Sequence, residues 1–299
     1  MSSRIRSLTY NLILLLRVVR WYNLGLLVLS QYLLARFVFQ SHLDILDFLL
    51  HPKLHLLIFA TSFAVAGAFI INSFYDVDKD LVNHSRQVVF NRLLGQDFLL
   101  NVYAGLNVIS LFLALLASTK VFVFCAVLIF LFWFYSHKLQ KMPLLREVSA
   151  SLLATAPLFA VWLHYATYHF GVLLYMGSLL VLGFTREVVK DLEGNKGNII
   201  FGYTTVVVAA GSVFTRRWLV AINLLLTSAW LVGFLTFIPR LEYFSAVSGF
   251  SIITSLLVSF ICLFPSETER SAVYSIADTL LKVAIVIHLL SLPASGFIG

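Results

Sequence analysis

Apolar residues along this chain fall into nine blocks, near 21 to 39, 54 to 75, 98 to 117, 119 to 136, 148 to 167, 171 to 186, 216 to 238, 243 to 264 and 271 to 291. Each is close to the ~20 residues that a helix needs to cross a bilayer. The pattern predicts an all-α, polytopic membrane protein of about nine transmembrane helices, with its two termini on opposite sides. Before the first block, Arg4, Arg6, Arg17 and Arg20 bracket an apolar stretch from Leu8 to Leu16. Arg17 closes that stretch early and no small-residue cleavage site follows, so residues 1 to 20 read as an interfacial amphipathic lead-in rather than a signal peptide. The remainder reads as one unit, so that 1 to 299 form a single domain.

Composition makes the solvent a bilayer. Hydrophobic residues are 60% of the chain and charged residues 12%, with a mean hydropathy of +0.94, values that a water-soluble domain of this length does not sustain. The basic residues set an orientation. With the N-terminus inside, the inner segments hold sixteen Lys and Arg, the outer segments only Arg36, Lys53, Lys120 and Arg240, and Lys282 falls within the last block. That bias places the N-terminus and the inner loops in the cytoplasm. The net charge of +7 is mostly this topology signal, so nucleic acid is not expected as a partner. Cys125 and Cys262 sit in apolar runs and read as packing residues, while His164 and His169 flank a polar break and read as interfacial.

One break between blocks carries unusual chemistry: Asn72-Ser-Phe-Tyr-Asp76-Val-Asp-Lys-Asp80. If the preceding helix continues, Asn72, Asp76 and Asp80 share one face, and Asp78 points elsewhere. Carboxylates in hydrocarbon cost about 2.5 to 3.5 kcal/mol each on insertion scales, and acids at a helix C-terminus oppose the macrodipole by about 0.3 to 1 kcal/mol. Mg²⁺ is the natural compensation, because it takes one or two carboxylates and fills its shell with water and substrate phosphates. Arg86 follows as a phosphate-ligand candidate, whereas Arg92 reads as a topology determinant.

Two further inner loops contribute. Tyr135-Ser-His-Lys138-Leu-Gln-Lys141 ends the fourth block with a tyrosine and two lysines, point charges that suit a diphosphate but are also expected of any inner loop. Arg186-Glu187-Val-Val-Lys190-Asp191-Leu-Glu193-Gly194-Asn-Lys-Gly-Asn198 puts Glu187 and Asp191 one turn apart at the inner end of the sixth block. Taken alone, it could equally be a solvated mixed-charge surface. Two acidic turns 115 residues apart on the same side look like two halves of one site.

These residues resemble the UbiA superfamily of intramembrane prenyltransferases, over nearly the whole chain. The resemblance rests on Asn72-xxx-Asp76-xxx-Asp80 with Asn83 and Arg86, on Tyr135-Ser with Lys138, and on Arg186-Glu-Val-Val-Lys190-Asp191. It implies a helical bundle around a central cavity open to the membrane and capped on the cytoplasmic side by the two acidic loops. It also implies transfer of a prenyl group from a prenyl diphosphate to a membrane-soluble acceptor. Asn72, Asp76 and Asp80 would hold a first Mg²⁺, and Glu187 with Asp191 a second or the acceptor. Arg86, Lys138 and Lys141 would take the diphosphate, with Tyr135 and Lys190 beside the substrate.

The chain departs from the family pattern at Gly194 and Asn198, where relatives carry acids, at Thr204, where they carry Arg, and at Arg146-Glu147, where they often carry Gly-Asn. The second metal is therefore expected to bind weakly until a diphosphate completes its shell. The wording of the second motif is most like members that alkylate a prenylated glycerol phosphate to make an ether lipid. An aromatic acceptor of quinone or pigment synthesis, a degenerate non-catalytic member and, outside the enzymes, a transporter are the competing readings. Against the transporter, the acids cluster at helix ends rather than at mid-bilayer.

Overall fold

A computed structural model describes residues 11–40, 44–76, 94–166, 170–200, 202–237, 242–265 and 269–293, and among them it is helical with no strand. The helices are α1 (Trp21–Leu34, extended by a wider turn over Ala35–Phe39), α2 (Ile45–Leu49), α3 (Pro52–Tyr75), α4 (Gln96–Ala117), α5 (Thr119–His137) and α6 (Leu145–Tyr165). Then follow α7 (Phe170–Glu193), α8 (Asn195–Ile200), α9 (Val206–Ala210), α10 (Ser212–Phe237), α11 (Glu242–Ile261) and α12 (Arg270–Leu290). Eight of these are long and apolar enough to cross a membrane, and α11 adds a shorter apolar stretch, Ala246–Ile261. Together they match the nine expected blocks. The clearest difference is α7, whose apolar block ends near 186 but whose helix runs on to Glu193, carrying the second acidic turn as ordered helix.

The bundle turns hydrocarbon outwards. Phe112, Leu115, Phe130, Leu225, Leu235, Ile253 and Leu257 are all exposed, a surface suited to lipid. Residues 11–18 are helical too, and Leu14 and Val18 pack with Ala66, Ile70 and Leu99 of α3 and α4 while Leu12, Ile13 and Leu16 stay exposed. The lead-in thus lies against the bundle along one face.

Lipid gives packed helices no hydrophobic incentive to associate, so contact rests on small residues and hydrogen bonds. α3 and α4 meet through both. The Ser110 hydroxyl of α4 donates to the Ala60 carbonyl of α3 at 2.7 Å, and a Cβ on Gly67 would stand 3.0 Å from Asn107 Oδ1. Pro157 interrupts the ladder of α6, and the buried Gln31 of α1 fills that region, its amide Nε2 donating to the Pro157 carbonyl and to Thr61 Oγ1 of α3, both at 2.9 Å. In the other half, α7 packs on α11 and α12. Tyr175 donates to the His288 carbonyl at 3.0 Å, and His288 Nδ1 lies 2.6 Å from Ser251 Oγ, linking the three helices.

The first acidic stripe is cut short. α3 ends at Tyr75, and Asp76 is its C-cap with φ −95 and ψ 5, so the helix carries Asn72 and stops at Asp76. Asp80, Asp78 and Arg86 lie outside the described residues.

α10 and α11 are clamped by one tryptophan. Trp230 Nε1 donates to Ser248 Oγ at 2.9 Å, and the ring covers Gly249 so closely that a Cβ there would fall 2.7 Å from two ring carbons. Gly249→Ala should therefore destabilise the detergent-solubilised protein by about 1–3 kcal/mol. The measurement is its thermal unfolding beside that of Gly25→Ala, where a Cβ meets nothing within 4 Å.

Candidate active site

The site is built where α3, α5, α6 and α7 bring their charged ends together. At the end of α3, Asn72 Nδ2 donates to Asp76 Oδ2 at 2.8 Å, one turn apart. The Tyr203 hydroxyl, from the segment before α9, donates to Asp76 Oδ1 at 3.0 Å. Both donors are neutral, and among the described residues no ion pair reaches Asp76, although it is buried. Asn72 Oδ1 is buried beside it with no hydrogen-bond partner. An orphaned carbonyl oxygen next to a carboxylate is the hard-oxygen pair that Mg²⁺ takes. The described residues hold no cluster of three Asp, Glu, His or Cys arranged to bind a metal, so a first-ion site here depends on a further ligand, the part expected of Asp80.

The middle loop delivers the second wall. After α5, a tight turn over Leu139–Lys141 and a left-handed Leu144 (φ 66) swing the chain into α6. That puts Arg146 and Glu147 in the first turn of α6, both buried. Glu147 Oε1 accepts the Val206 N–H at 3.2 Å, anchoring the start of α9, and Glu147 Oε2 is buried without a partner. Lys141 is exposed, its Nζ 5.9 Å from the centre of the Tyr203 ring, and its carbonyl accepts from the Thr204 hydroxyl. Through Tyr203, Lys141 stands beside Asp76. Lys138 caps α5 with its backbone N–H, and its side chain is exposed.

The end of α7 closes the site. Glu187 takes Lys190 Nζ on both carboxylate oxygens, at 2.9 and 2.8 Å. Asp191 forms a buried ion pair with Arg146 of α6, through Asp191 Oδ1 and Arg146 Nη1. One turn deeper, Arg186 Nε donates to Asp278 Oδ1 of α12 at 2.9 Å, and Asp278 also pairs with Lys282 four residues on. Lys282, an isolated cation within the last apolar block, is thereby accounted for.

Tyr135, half-buried at the end of α5, lies within electrostatic reach of Arg146, Glu187, Asp76 and Glu147. Thus Asn72, Asp76, Tyr135, Lys141, Glu187, Lys190 and Asp191 converge as one group, while the Lys138 side chain is exposed at the end of α5 and Asp80 and Arg86 lie outside the described residues. Sequence reasoning had not placed three residues in the site: Tyr203, Arg146 and Glu147. For the last two a signal existed, since an adjacent Arg and Glu open an otherwise apolar helix at the spot where the related pattern is neutral.

Comparison with known proteins identifies the family and the fold. The model of the UbiA prenyltransferase family matches residues 12–277. The chain belongs to that family. Among curated relatives it is similar to the digeranylgeranylglyceryl phosphate synthases of Thermococcus gammatolerans, 28% identical over 53% of this chain and 58% of the relative, and of Methanobrevibacter smithii, 24% identical over 56% and 61%. The chain thus spans less than two thirds of the length of these curated relatives. The fold matches a solved digeranylgeranylglyceryl phosphate synthase with a TM-score of 0.69 at 17% identity, over 97% of this chain and 100% of the other. It also matches a UbiA homologue from Archaeoglobus fulgidus bound to DMAPP and Mg²⁺, with a TM-score of 0.66 at 17% identity, over 92% and 98%.

The buried pair between α6 and α7 has a measurable consequence. Asp191→Ala leaves the Arg146 guanidinium buried and uncompensated, so it should destabilise the protein by about 3–5 kcal/mol. Replacing both partners with leucine should cost much less. Thermal unfolding of the two variants in detergent decides the matter, with equal losses counting against the pair.

Proposed function

We propose that this UbiA-family protein transfers a prenyl group from a prenyl diphosphate to a prenylated glycerol phosphate in the membrane, with Mg²⁺, forming the ether bond of a lipid. The observation that carries this reading is the chain of contacts that joins the two acidic turns at one end of a lipid-facing bundle, from Asp76 to Tyr203, from Val206 just beyond it to Glu147, and from the neighbouring Arg146 to Asp191. The names of the curated relatives support the acceptor class, and the solved relatives bound to DMAPP or GPP with Mg²⁺ support the donor and the ion.

In this reading Asn72 and Asp76, with Asp80, hold the ion. When bound, Mg²⁺ takes up the charge that grows on the diphosphate as the allylic C–O bond ionises. Tyr203 fixes the orientation of the Asp76 carboxylate, as an outer hydrogen bond does for a metal ligand. Lys141, exposed above the Tyr203 ring, reaches the diphosphate oxygens, with Lys138 and Arg86 as further cations. The acceptor hydroxyl forms the new C–O bond at the allylic carbon, the diphosphate departs with the bonding electrons, and the hydroxyl proton is released to a base. The phosphate of the acceptor suits a cation-rich rim, which a neutral phenol would not exploit. Residues 1 to 299 then act as one unit with the site facing the cytoplasm.

The test uses protein in nanodiscs with labelled geranylgeranyl diphosphate and three acceptors: geranylgeranylglyceryl phosphate, geranylgeranylglycerol and 4-hydroxybenzoate. Transfer should go to the phosphate-bearing acceptor, and Asp76→Ala should lower it by at least about 10²-fold. Transfer to 4-hydroxybenzoate alone would overturn the acceptor class. A second measurement fixes the side of the membrane. Because Cys125 and Cys262 are buried, a single cysteine replacing Lys138 should label from the cytoplasm and one replacing Lys53 from outside.

A further inference from the structure

The second acidic turn does not fit a second metal ion. Glu187 has both oxygens on Lys190, and Asp191, 1% exposed, has Oδ1 on the buried Arg146. Two carboxylates thus meet two cations, and although Asp191 Oδ2 stays buried without a hydrogen-bond partner, no three acids, histidines or cysteines among the described residues come together there to hold a metal ion. The positions that would restore it are Gly194, with no side-chain ligand, and Asn198, whose buried Oδ1 has no partner. Glu147, the remaining acid nearby, spends Oε1 on the Val206 N–H and keeps one unpartnered oxygen, Oε2.

Resting on the prenyl-diphosphate reading above, we infer that the guanidinium of Arg146 stands in for the second metal, so that the protein handles its diphosphate with one Mg²⁺ and one built-in cation. Arg146 is placed for this. It is held against Asp191 on one side and lies within electrostatic reach of Tyr135 and Glu187, with Asp76 in reach of the same tyrosine. Among the described residues no hydrogen bond takes its Nε or Nη2. A guanidinium stays protonated at any working pH and presents its donors as a rigid fork that matches phosphate oxygens. Unlike a metal ion, it needs no ligand set beyond one carboxylate to hold it in place. The loss of two acids at Gly194 and Asn198 and the gain of a buried arginine at 146 are then one coupled change. Arg146 is a binding residue in this scheme, and Asp191 positions it.

The experiment counts metal ions rather than turnover. Full-length protein in nanodiscs is saturated with inorganic pyrophosphate, and bound Mn²⁺, a spin-active substitute for Mg²⁺, is counted per chain by paramagnetic resonance after equilibrium dialysis. The wild type should hold one ion, and Arg146→Gly combined with Gly194→Asp and Asn198→Asp should hold two. Arg146→Leu with Asp191→Leu, which removes the pair without stranding a charge, should keep one ion and weaken pyrophosphate binding about 10- to 100-fold. Arg146→Lys, which keeps the charge but not the two-pronged donor, should recover only part of that affinity. Two ions in the wild type would overturn the inference while leaving the transferase reading intact. So would unchanged pyrophosphate affinity in the leucine pair, which would make the ion pair a packing device. Failure of the wild type to bind either pyrophosphate or Mn²⁺ would overturn the transferase reading, and this inference with it.

Discussion

A carboxylate buried among hydrocarbon must find donors or a cation of its own, because the surrounding medium supplies none. In this bundle that requirement sets the relative positions of the helices. Asp191 ties α7 to α6 through Arg146, Asp278 ties α12 to α7 through Arg186, and Glu147 ties the start of α9 to α6 through the Val206 N–H. Breaking the Arg146–Asp191 pair leaves an uncompensated buried charge, which costs more than the intact pair contributes. The pairs therefore act as registry marks more than as a source of net stability. Around them the contacts are those that lipid permits: small residues and hydroxyls between α3 and α4, and a tryptophan over a glycine between α10 and α11.

Much of the fold was legible in the sequence because a membrane makes length and hydropathy decisive. The nine blocks correspond to helices, and Asp76, Glu187 and Asp191 lie at helix ends. What the blocks did not give was where those helices stop. α7 continues for seven residues past its apolar block, since Glu187, Lys190 and Asp191 find partners within the bundle and so need not leave the helix for water. α3 does the reverse. It ends at Tyr75, and Asp76 takes the capping position, where its carboxylate meets the Asn72 amide and the Tyr203 hydroxyl.

The residues that sequence reasoning did not assign share a cause. Arg146 and Asp191 are 45 positions apart, and Tyr203 and Asp76 are 127 apart. No periodicity links such pairs, and a lone arginine in an inner loop is first of all a topology signal. The neutral Gly-Asn expected at 146 and 147 was noticed as a departure, but its meaning depended on knowing that α6 turns inward at Leu144, a backbone strained into the left-handed region. Once that turn is made, the two charged residues have no route to water and must be used inside.

The two acidic turns consequently differ in kind, although they look alike in sequence. At the end of α7 each carboxylate is matched by an internal cation, so that turn is electrically complete before any ligand arrives. At the end of α3 the donors to Asp76 are an amide and a phenol, and Asn72 Oδ1 is left unpartnered beside it. There an external cation would meet a carboxylate that no cation of the described residues has taken. Under the proposed function, an arriving diphosphate would face different demands at the two walls: it would have to bring a metal to the α3 side, whereas on the α7 side it would meet cations already held by the chain's own carboxylates. This asymmetry follows from which buried charges the chain compensates with its own side chains, and it would orient the diphosphate before any contact with the prenyl tail is made.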